Sequence, residues 1–564
     1  MSVGKKIYLL GDPNLGIYDE SVSQSKDKDI REINFNTTFY FAKIIKTMFG
    51  PNGLNKMLLD TSNNIIITQK GNKVLNHLKK RLPIVQLLIN LAEIQEKLYG
   101  DGTKTIILLT AFLLDKAKKL LEKGIPAQII NEGLNLATIK ALEVLENSVI
   151  EINENINSFL EKLVNSVMMN RISIYDKKIF INYLLNLSTY LGEIEYSDIF
   201  YRKVHGKSIK ESEIINGMII YKEKPNFKMP EKIENPKIVL IKRNLDFFIR
   251  DNVNINRNIE IDNPLEYKKF LSFTENYYYE LSKNLKERGI DIILCEKKMN
   301  PTFIEQCATL GMIALELVGE EEIKSLSKLL NLKVISDIQN IEDEEIGTAE
   351  RAEFKKIVAD EMLILSLRNS KIFTFLLRGG TKYILDELEE NIRCASKIAI
   401  QFMKHKKVLP GGGALESEIA CELKKYSSNF SNRLQVVISE IAKAYENIPG
   451  YLIKNSGQDP LDLVPKLRKM HAESFKYSGF DANSNKLMNV IDQGIFDDYI
   501  GKKNLIRNAS EAVQQIIRVN GLIMIRDRDL HKKFEQEKSQ IRSQKHEKRL
   551  REYFREKEED LFTI

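Results

Sequence analysis

The sequence has little of the chemistry that marks metal-binding or disulfide-stabilised proteins. Its four cysteines are far apart and lack the spacing of metal ligands: Cys295, Cys307, Cys394 and Cys421. We therefore expect buried thiols in a reducing compartment. Three histidines are isolated in the sequence, namely His77, His405 and His471. For each of them the pattern favours a structural or surface role over metal ligation.

Long apolar runs and a strong net charge are also missing. No uninterrupted run of about 18 apolar residues occurs, so we expect no membrane-spanning helix. The apolar patch at residues 7–10 is too short for a signal peptide. The 85 basic and 78 acidic residues leave a charge of only +7, which gives little attraction to nucleic-acid phosphates. The sequence predicts a cytoplasmic protein with neither membrane nor nucleic-acid partners.

The length of 564 residues exceeds the size of a single core, so several domains are expected. Apolar residues recur at helical spacing over 30–49 and 82–153, which predicts a mainly helical region. Buried-strand runs alternate with helices between 220 and 370, as in an α/β domain. Helical patterns then return as far as Arg526. The predicted fold class is multidomain and mainly α, with an α/β excursion in the middle.

One short motif, Gly100-Asp101-Gly102-Thr103-Lys104-Thr105, lies between two apolar helical runs. Its glycines allow a tight turn and the close approach of a ligand. The N–H groups that open the second helix favour anions, and Asp101 offers the oxygen ligand that magnesium prefers. The motif predicts a phosphate and magnesium site, although a turn of this composition is most often only a turn.

Two further loops accompany this motif: Gly50-Pro51-Asn52-Gly53-Leu54-Asn55-Lys56-Met57 and Pro410-Gly411-Gly412-Gly413-Ala414. In order and spacing, the three loops resemble the nucleotide pocket of the group II chaperonins, over about residues 30–526. Among the subunit families of the eukaryotic cytosolic chaperonin (TRiC/CCT), the theta family is the most similar. That finer resemblance depends on the first of these two loops and on residues 494–502, with the sequence GIFDDYIGK.

The resemblance implies a ring-forming protein of three domains. The implied boundaries are 30–153 and 409–526 for an α-helical equatorial ATP-binding domain, 154–219 and 371–408 for a small α/β intermediate hinge domain, and 220–370 for an α/β apical substrate-binding domain with a helical lid protrusion at about 242–286. Residues 1–29 are predicted to be a flexible leader and residues 527–564 a charged tail. The implied partners are paralogous chaperonin subunits in a double ring and unfolded proteins such as cytoskeletal proteins.

The resemblance also implies a site for ATP and Mg²⁺. Asp101 matches the magnesium ligand of the family. The implied nucleotide contacts are Gly50, Pro51, Gly102, Thr103, Lys104, Thr105, Ser166, Arg171, Gly411, Gly412 and Asp497. Ser166 and Arg171 match a hinge motif that is expected to reach the nucleotide on closure, and Asp497 matches a nucleoside contact.

Two carboxylates of the family pattern are replaced in this sequence. The loop that normally contains Thr-X-Asp-Gly, with its Asp near the γ-phosphate, is Thr68-Gln69-Lys70-Gly71. The Asp that positions the attacking water in the family corresponds to Cys394. Asp386 and Glu390 are close in sequence, but each is a turn or more away and is expected to face elsewhere. We therefore assign no catalytic residue.

These substitutions affect hydrolysis more than binding. Losing a positioned acid or base typically costs about 10²–10⁴-fold in rate, whereas phosphate binding needs mainly backbone donors and Asp101. Lys70 and Lys104 add cations that favour polyphosphate. The sequence predicts a subunit that binds Mg·ATP and hydrolyses it very slowly or not at all. Two functions stay open: an ATP-dependent folding subunit, and a structural ring member that holds nucleotide while its neighbours hydrolyse.

Overall fold

The computed structural model describes residues 22–26, 28–59, 65–77, 82–168, 174–245, 264–335, 338, 341–357, 360–367, 371–519 and 521–525. Three predictions concern residues outside these ranges. They are the nucleotide contact of Arg171, part of the lid protrusion and the charged tail at 527–564.

Along the chain, the described elements form a helical region, then an α/β region, and then a second helical region. The helices are α1 (Lys28–Lys46), α2 (Gly71–His77), α3 (Pro83–Tyr99), α4 (Thr103–Glu122), α5 (Ala127–Asn147), α6 (Ile156–Val167), α7 (Ile174–Asn186), α8 (Ser188–Leu191), α9 (Pro264–Glu287), α10 (Pro301–Thr309), α11 (Glu320–Leu330), α12 (Lys382–His405), α13 (Ala414–Ser427), α14 (Arg433–Asn455), α15 (Pro460–Ala472) and α16 (Tyr499–Arg518). Among these described helices, none combines the length and the apolar character needed to cross a bilayer.

The strands are β1 (Val22–Lys26), β2 (Lys56–Leu59), β3 (Ile65–Thr68), β4 (Ile150–Glu151), β5 (Ile199–His205), β6 (Glu213–Ile220), β7 (Lys232–Glu234), β8 (Lys237–Ile241), β9 (Ile292–Cys295), β10 (Ile313–Leu315), β11 (Gly347–Thr348), β12 (Arg351–Ile357), β13 (Asp360–Ser366), β14 (Phe373–Gly379), β15 (Lys407–Pro410), β16 (Ser478–Asp481), β17 (Lys486–Asn489), β18 (Phe496–Asp498) and β19 (Gly521–Ile525).

Helix α4 lies at the centre of a helical unit built from both halves of the chain. Residues 106–114 of α4 are buried on every side of the helix, and a helix that is apolar all round must be enclosed by others. Helices α1, α3, α5, α14 and α16 enclose it. Each fully buried Leu or Ile side chain in this core contributes about 1.5–3 kcal/mol relative to an exposed one. The burial of α4 therefore requires helices that follow the α/β part in sequence, α14 and α16, to pack against it.

A second core joins helices α6, α7, α8 and α12 to strands β5 and β14. Helix α12 begins where the Thr381 hydroxyl accepts a hydrogen bond from the Ile384 N–H at 3.2 Å. One face of α12 packs on this core, and the helix also reaches the helical unit. There the Gln401 side-chain amide donates to the Leu98 carbonyl at 2.9 Å. Helix α12 thus touches the end of α3, next to the turn that leads into α4.

The α/β part contains two sheets. Strands β8, β9 and β10 are parallel and belong to a four-stranded sheet of order β10-β9-β8-β11. The other sheet has the order β5-β14-β6-β13-β12-β7. Side chains from β6 and β13 pack with those of β8, β9 and α11 in one core, and helices α9 and α10 cover the opposite face of the four-stranded sheet. This architecture confirms the predicted alternation of helical and α/β regions.

The prediction that residues 1–29 form a flexible leader without regular structure is wrong for residues 22–26 and 28–29, the part of it that the structure describes. Strand β1 pairs antiparallel with β19, with Val22 opposite Ile525, and helix α1 already begins at Lys28. The prediction of buried thiols is confirmed, because all four cysteines are free and buried. His471 also has a structural environment, since its two ring nitrogens contact Glu418 Oε2 and the Ser478 carbonyl oxygen.

Replacing Gly133 by Ala is expected to destabilise the helical unit. An added Cβ would lie 2.4 Å from Val437 Cγ1, where α5 crosses α14, and overpacking of this kind typically costs about 1–3 kcal/mol. The matched control is Gly450→Ala in α14, where the nearest atom, Val464 Cγ2, is 3.7 Å away. Because Gly inside a helix costs about 0.5–1 kcal/mol relative to Ala, the control variant should be equal to or more stable than the parent chain. Thermal unfolding of the full chain measures both changes, and the reverse order of Tm values would contradict the described packing.

Candidate functional site

A cavity of about 220 Å³ lies where loops from both halves of the helical unit meet. The structure brings nine predicted site residues to its wall: Gly50, Pro51, Asp101, Gly102, Lys104, Thr105, Ser166, Gly412 and Asp497. Thr103 and Gly411 are neighbours of these residues in the chain but do not line the cavity. Lys70 and Cys394 also lie outside the wall.

The turn between α3 and α4 depends on two glycines. Gly100 and Gly102 have φ values of +80° and +87°, in the left-handed region that favours glycine. A Cβ on Gly102 would also lie 2.9 Å from Leu505 Cδ1 and 3.0 Å from Gln95 Nε2. Gly102 therefore caps α4 without a side-chain acceptor. The first N–H groups of this 20-residue helix are left to bind an acceptor outside the helix.

Lys104 supports the loop that begins at Gly50. Its ammonium donates a hydrogen bond to the Met48 carbonyl at 2.8 Å, and its side chain is buried in the cavity wall. From the other side, the Asn455 amide donates to the Phe49 carbonyl at 2.8 Å. These two donors fix the end of α1 beside the turn into α4, and they place a positive charge between the two loops.

The third loop is joined to Asp497 by strand pairing. Strands β15 and β18 are antiparallel with Leu409 opposite Asp497, which places this carboxylate next to the glycine loop. The loop is also held by the Phe480 N–H, which donates to the Gly412 carbonyl at 2.9 Å. Residues 480–483, which include the start of the turn after β16, line the cavity on this side.

Two carboxylates share one ammonium in this part of the wall. The Lys502 ammonium lies 2.7 Å from Asp497 Oδ2 and 2.6 Å from Glu416 Oε1. Burial acts against the charged amine, but the two carboxylates raise the pKa of Lys502 above its ordinary value. Burial raises the pKa of Asp497, with Lys502 acting in the opposite direction. Burial also raises the pKa of Asp498 to about 7, although the Gly501 N–H favours its ionised form.

Glu416 and Lys502 are functional candidates that sequence reasoning missed. Glu416 lies in the first turn of α13, directly after the glycine loop, and is only 3% exposed. The sequence around it, Ala-Leu-Glu-Ser-Glu, gave no signal that distinguishes Glu416 from its polar neighbours. Lys502 lies on α16, and no local pattern predicts that α13 and α16 bring these two side chains together.

The hinge residue Ser166 does reach the cavity. It lies near the end of α6, and its hydroxyl donates to the Lys162 carbonyl at 3.0 Å, with the Gly494 carbonyl at 3.4 Å. Ser166 lines the cavity together with Gly412 and Gly413. The end of α6 thus brings a hydroxyl close to the glycine loop that follows β15.

The wall fits a magnesium–polyphosphate group better than a metal ion alone. Among the described residues, no cluster of three or more His, Cys, Asp or Glu side chains is arranged to hold a metal. Magnesium commonly binds one or two carboxylates and completes its shell with phosphate oxygens and water. Asp101 offers an exposed carboxylate at the turn into α4, and the open helix terminus beside it suits phosphate oxygens.

The two substituted positions, Lys70 and Cys394, touch each other. The Lys70 ammonium lies 3.5 Å from Cys394 Sγ although the residues are 324 positions apart. It is also 3.0 Å from Glu96 Oε1 and 3.5 Å from Glu390 Oε2, and Lys73 forms a further ion pair with Glu390. We call these five residues the hinge ion cluster, because they join the helical unit to α12.

The prediction that Glu390 faces elsewhere is wrong. Glu390 lies four residues before Cys394 on α12, and residues at this spacing occupy the same helix face. Asp386 behaves as predicted, because its carboxylate pairs with Lys203 of β5 at 2.6 Å. A Cβ on Gly100 would lie 3.1 Å from the Cys394 carbonyl oxygen. The first glycine of the turn therefore lets α12 pack closely against it.

Comparison with known proteins places the whole architecture in one family. Residues 41–527 match the model of the TCP-1/cpn60 chaperonin family. The thermosome subunit alpha of Methanothermobacter thermautotrophicus is 29% identical over 532 residues, which cover 93% of this chain and 97% of the relative. The thermosome subunit beta of the same organism is 29% identical over 511 residues, covering 90% and 94%.

A thermosome subunit of Pyrococcus horikoshii is 28% identical over 523 residues, which cover 91% of this chain and 94% of the relative. The family match runs from within α1 to β19, and so it includes the second core and both α/β sheets. The chain therefore belongs to the TCP-1/cpn60 chaperonin family, and it has the multidomain architecture of the group II chaperonins.

Proposed function

We propose that this chaperonin subunit binds ATP with Mg²⁺ and hydrolyses it very slowly or not at all. In this proposal it works within a hetero-oligomeric double ring that assists the folding of unfolded proteins. The hinge ion cluster is the observation that carries the proposal. In this cluster the Lys70 ammonium contacts the Cys394 thiol, and the family resemblance assigns a carboxylate to each of these two positions.

The cavity supports the binding part of the proposal. The N–H groups of the first turn of α4, together with Gly50 and Pro51, would receive the phosphates. Asp101 would hold the magnesium ion, which neutralises phosphate charge when bound. Lys104 adds a positive charge between the two phosphate-binding loops, and Gly412 in the cavity wall would lie beside the sugar. None of these contacts requires a residue at position 70 or 394.

The hydrolytic part requires a group that orients water and accepts its proton. Lys70 is a cation, and Cys394 is buried at 4% exposure against the turn into α4. The carboxylates that remain nearby, Glu96 and Glu390, are ion-paired with Lys70 and Lys73. Ammonium groups therefore occupy both carboxylates, and neither Glu96 nor Glu390 lines the cavity.

Exposed apolar surface supports assembly with paralogous subunits. The hairpin of β2 and β3 presents Leu54, Met57 and Leu59, with exposed fractions of 66%, 70% and 67%. Exposed apolar groups of this size next to short edge strands are typical of protein interfaces. Two relatives from one organism carry the names thermosome subunit alpha and beta. A hetero-oligomeric double ring would cover this hairpin.

The nature of the substrate is a further part of the proposal. Helix α9 exposes Leu271, Phe273 and Tyr279, an apolar surface suited to unfolded chains. We assign unfolded proteins such as cytoskeletal proteins as substrates, the cytoplasm as the location and the theta family as the subunit type. The assignment to the theta family depends on the loop after Gly50 and on residues 494–502.

A second candidate function is a structural ring subunit that contributes assembly and substrate contacts without turnover. The same hinge ion cluster favours it, because α12 is already tied to the helical unit by direct ion pairs. In both candidates the chain holds nucleotide, and the difference lies in whether ATP binding in this subunit drives movement.

Assembly is tested by the native mass of the full chain purified from its own cells. We expect a ring-sized complex that also contains paralogous subunits, because the hairpin of β2 and β3 needs a partner surface. Light scattering after gel filtration gives the mass, and mass spectrometry identifies the other subunits. A stable monomer of 65.1 kDa would contradict both candidate functions.

Restoring the two carboxylates is expected to create hydrolysis. The double variant Lys70→Asp with Cys394→Asp should raise single-turnover hydrolysis by about 10²-fold or more, because a positioned acid or base contributes 10²–10⁴-fold. The rate is measured as the release of labelled phosphate from radiolabelled ATP bound to the full chain in its ring. Each single variant should hydrolyse ATP more slowly than the double variant.

Equilibrium ATP binding to every variant serves as the folding control. Since an aspartate at 70 would face Glu96 and Glu390, Lys70→Ala with Cys394→Asp provides a second variant without that repulsion. Fast hydrolysis by the unmodified subunit, abolished in Cys394→Ala, would show the proposal to be wrong. The same conclusion would follow if both combined variants bound ATP but hydrolysed no faster.

A further inference from the structure

Gln95 is a polar residue at a core position of α3, shortly before the turn that leads into α4. The buried face of α3 continues from Ile84 through Leu88 and Ala92 to Gln95, whose side chain is 1% exposed. Burying a side-chain amide costs free energy unless hydrogen bonds replace those it made with water. The partners of this amide therefore show what a polar residue contributes here that an apolar one would not.

The Gln95 amide joins two backbone carbonyls from distant parts of the chain. Its Nε2 donates to the Asp101 carbonyl at 3.0 Å and to the Gly501 carbonyl, in the first turn of α16, at 3.2 Å. Only the nitrogen of a side-chain amide can donate to carbonyls, so the two contacts determine how the amide is oriented. A Cβ on Gly102 would lie 3.0 Å from Nε2. The glycine after Asp101 therefore leaves the space that the amide occupies.

The turn at Asp101 needs such a support. Asp101 lies between Gly100 and Gly102, and glycine permits many backbone conformations, so these neighbours do not by themselves hold the aspartate in one orientation. Magnesium requires near-octahedral geometry with short metal–oxygen distances, whereas phosphate binding at a helix terminus is shared among several N–H groups. A small movement of Asp101 therefore affects a bound metal ion more than the phosphates.

We propose that Gln95 is a positioning residue for the magnesium ligand. By holding the Asp101 carbonyl against α16, it fixes the turn from which the carboxylate of the same residue binds the metal of Mg·ATP. Gln95 acts through Asp101 and supplies no ligand itself. This inference rests on the proposed function, because it takes the binding of Mg·ATP in the cavity as given.

The test compares the affinity of ATP for the full chain in its ring with Mg²⁺ present and with the metal removed by EDTA. The ratio of the two affinities is the magnesium enhancement. In Gln95→Met, which keeps the length of the side chain but lacks the amide, this enhancement should fall about twofold to tenfold, the contribution of one hydrogen bond. The affinity without metal should change little. A purely structural role would weaken both affinities equally and leave the ratio unchanged.

Two further variants accompany Gln95→Met. Gln95→Asn keeps an amide that is one methylene too short to reach the Asp101 carbonyl, so the enhancement should fall in the same way. The matched control is Asn131→Leu, which removes another buried amide of the helical unit. Asn131 lies on α5, is 5% exposed and does not line the cavity. Its magnesium enhancement should equal that of the parent chain.

Gln95 variants that keep the parent's magnesium enhancement, or lose both affinities equally, would overturn the inference. An equal fall of the enhancement in Asn131→Leu would also overturn it, because the effect would then follow from the loss of any buried amide. A parent chain that binds ATP equally well with and without magnesium would do the same while leaving the proposed ATP binding intact. A parent chain that binds no nucleotide would refute the proposed function first, and this inference with it.

Discussion

The burial of α4 is the constraint on which the rest of the structure depends. Its middle is apolar on every side, so helices from both halves of the chain must enclose it. That enclosure brings the loops at Gly50, Gly102 and Gly412 to the same place, because each loop lies at the end of an element packed on or near α4. The packing of the core around α4 thus also forms the cavity. The middle of α4 is buried, and residues of its first turn line the cavity.

The charge distribution around α4 separates two tasks. In the cavity, positive charge comes from Lys104 and from the helix terminus, next to the exposed carboxylate of Asp101. In the hinge ion cluster, Lys70 and Lys73 are bound to Glu96 and Glu390, and the thiol of Cys394 completes the group. The first arrangement suits the binding of a magnesium polyphosphate. In the second arrangement, ion pairs with lysines engage the carboxylates that could otherwise activate a water molecule. In the proposed function, nucleotide binding and hydrolysis therefore depend on different residues.

Local signals predicted the parts of the site that glycine and turn chemistry determine. Gly100 and Gly102 need positive φ and free space, and both requirements are visible in a short motif. Strand β1 gave no such signal, because its polar residues acquire their structure from β19, near the other end of the chain. Glu416 and Lys502 form a pair only through the packing of α13 and α16. Helix spacing does put Glu390 on the same face of α12 as Cys394, but its ion pairs with Lys70 and Lys73 depend on how α12 meets the helical unit.

The central claim is that this subunit binds Mg·ATP without hydrolysing it at an appreciable rate. A single-turnover experiment on the unmodified full chain tests it most directly, with radiolabelled ATP bound in the presence of Mg²⁺ and both bound nucleotide and released phosphate followed over time. The account predicts that ATP binds to a saturable site and is recovered intact long after a hydrolysing chaperonin subunit would have converted it to ADP. Conversion of the bound ATP to ADP at the rate of such a subunit would contradict it.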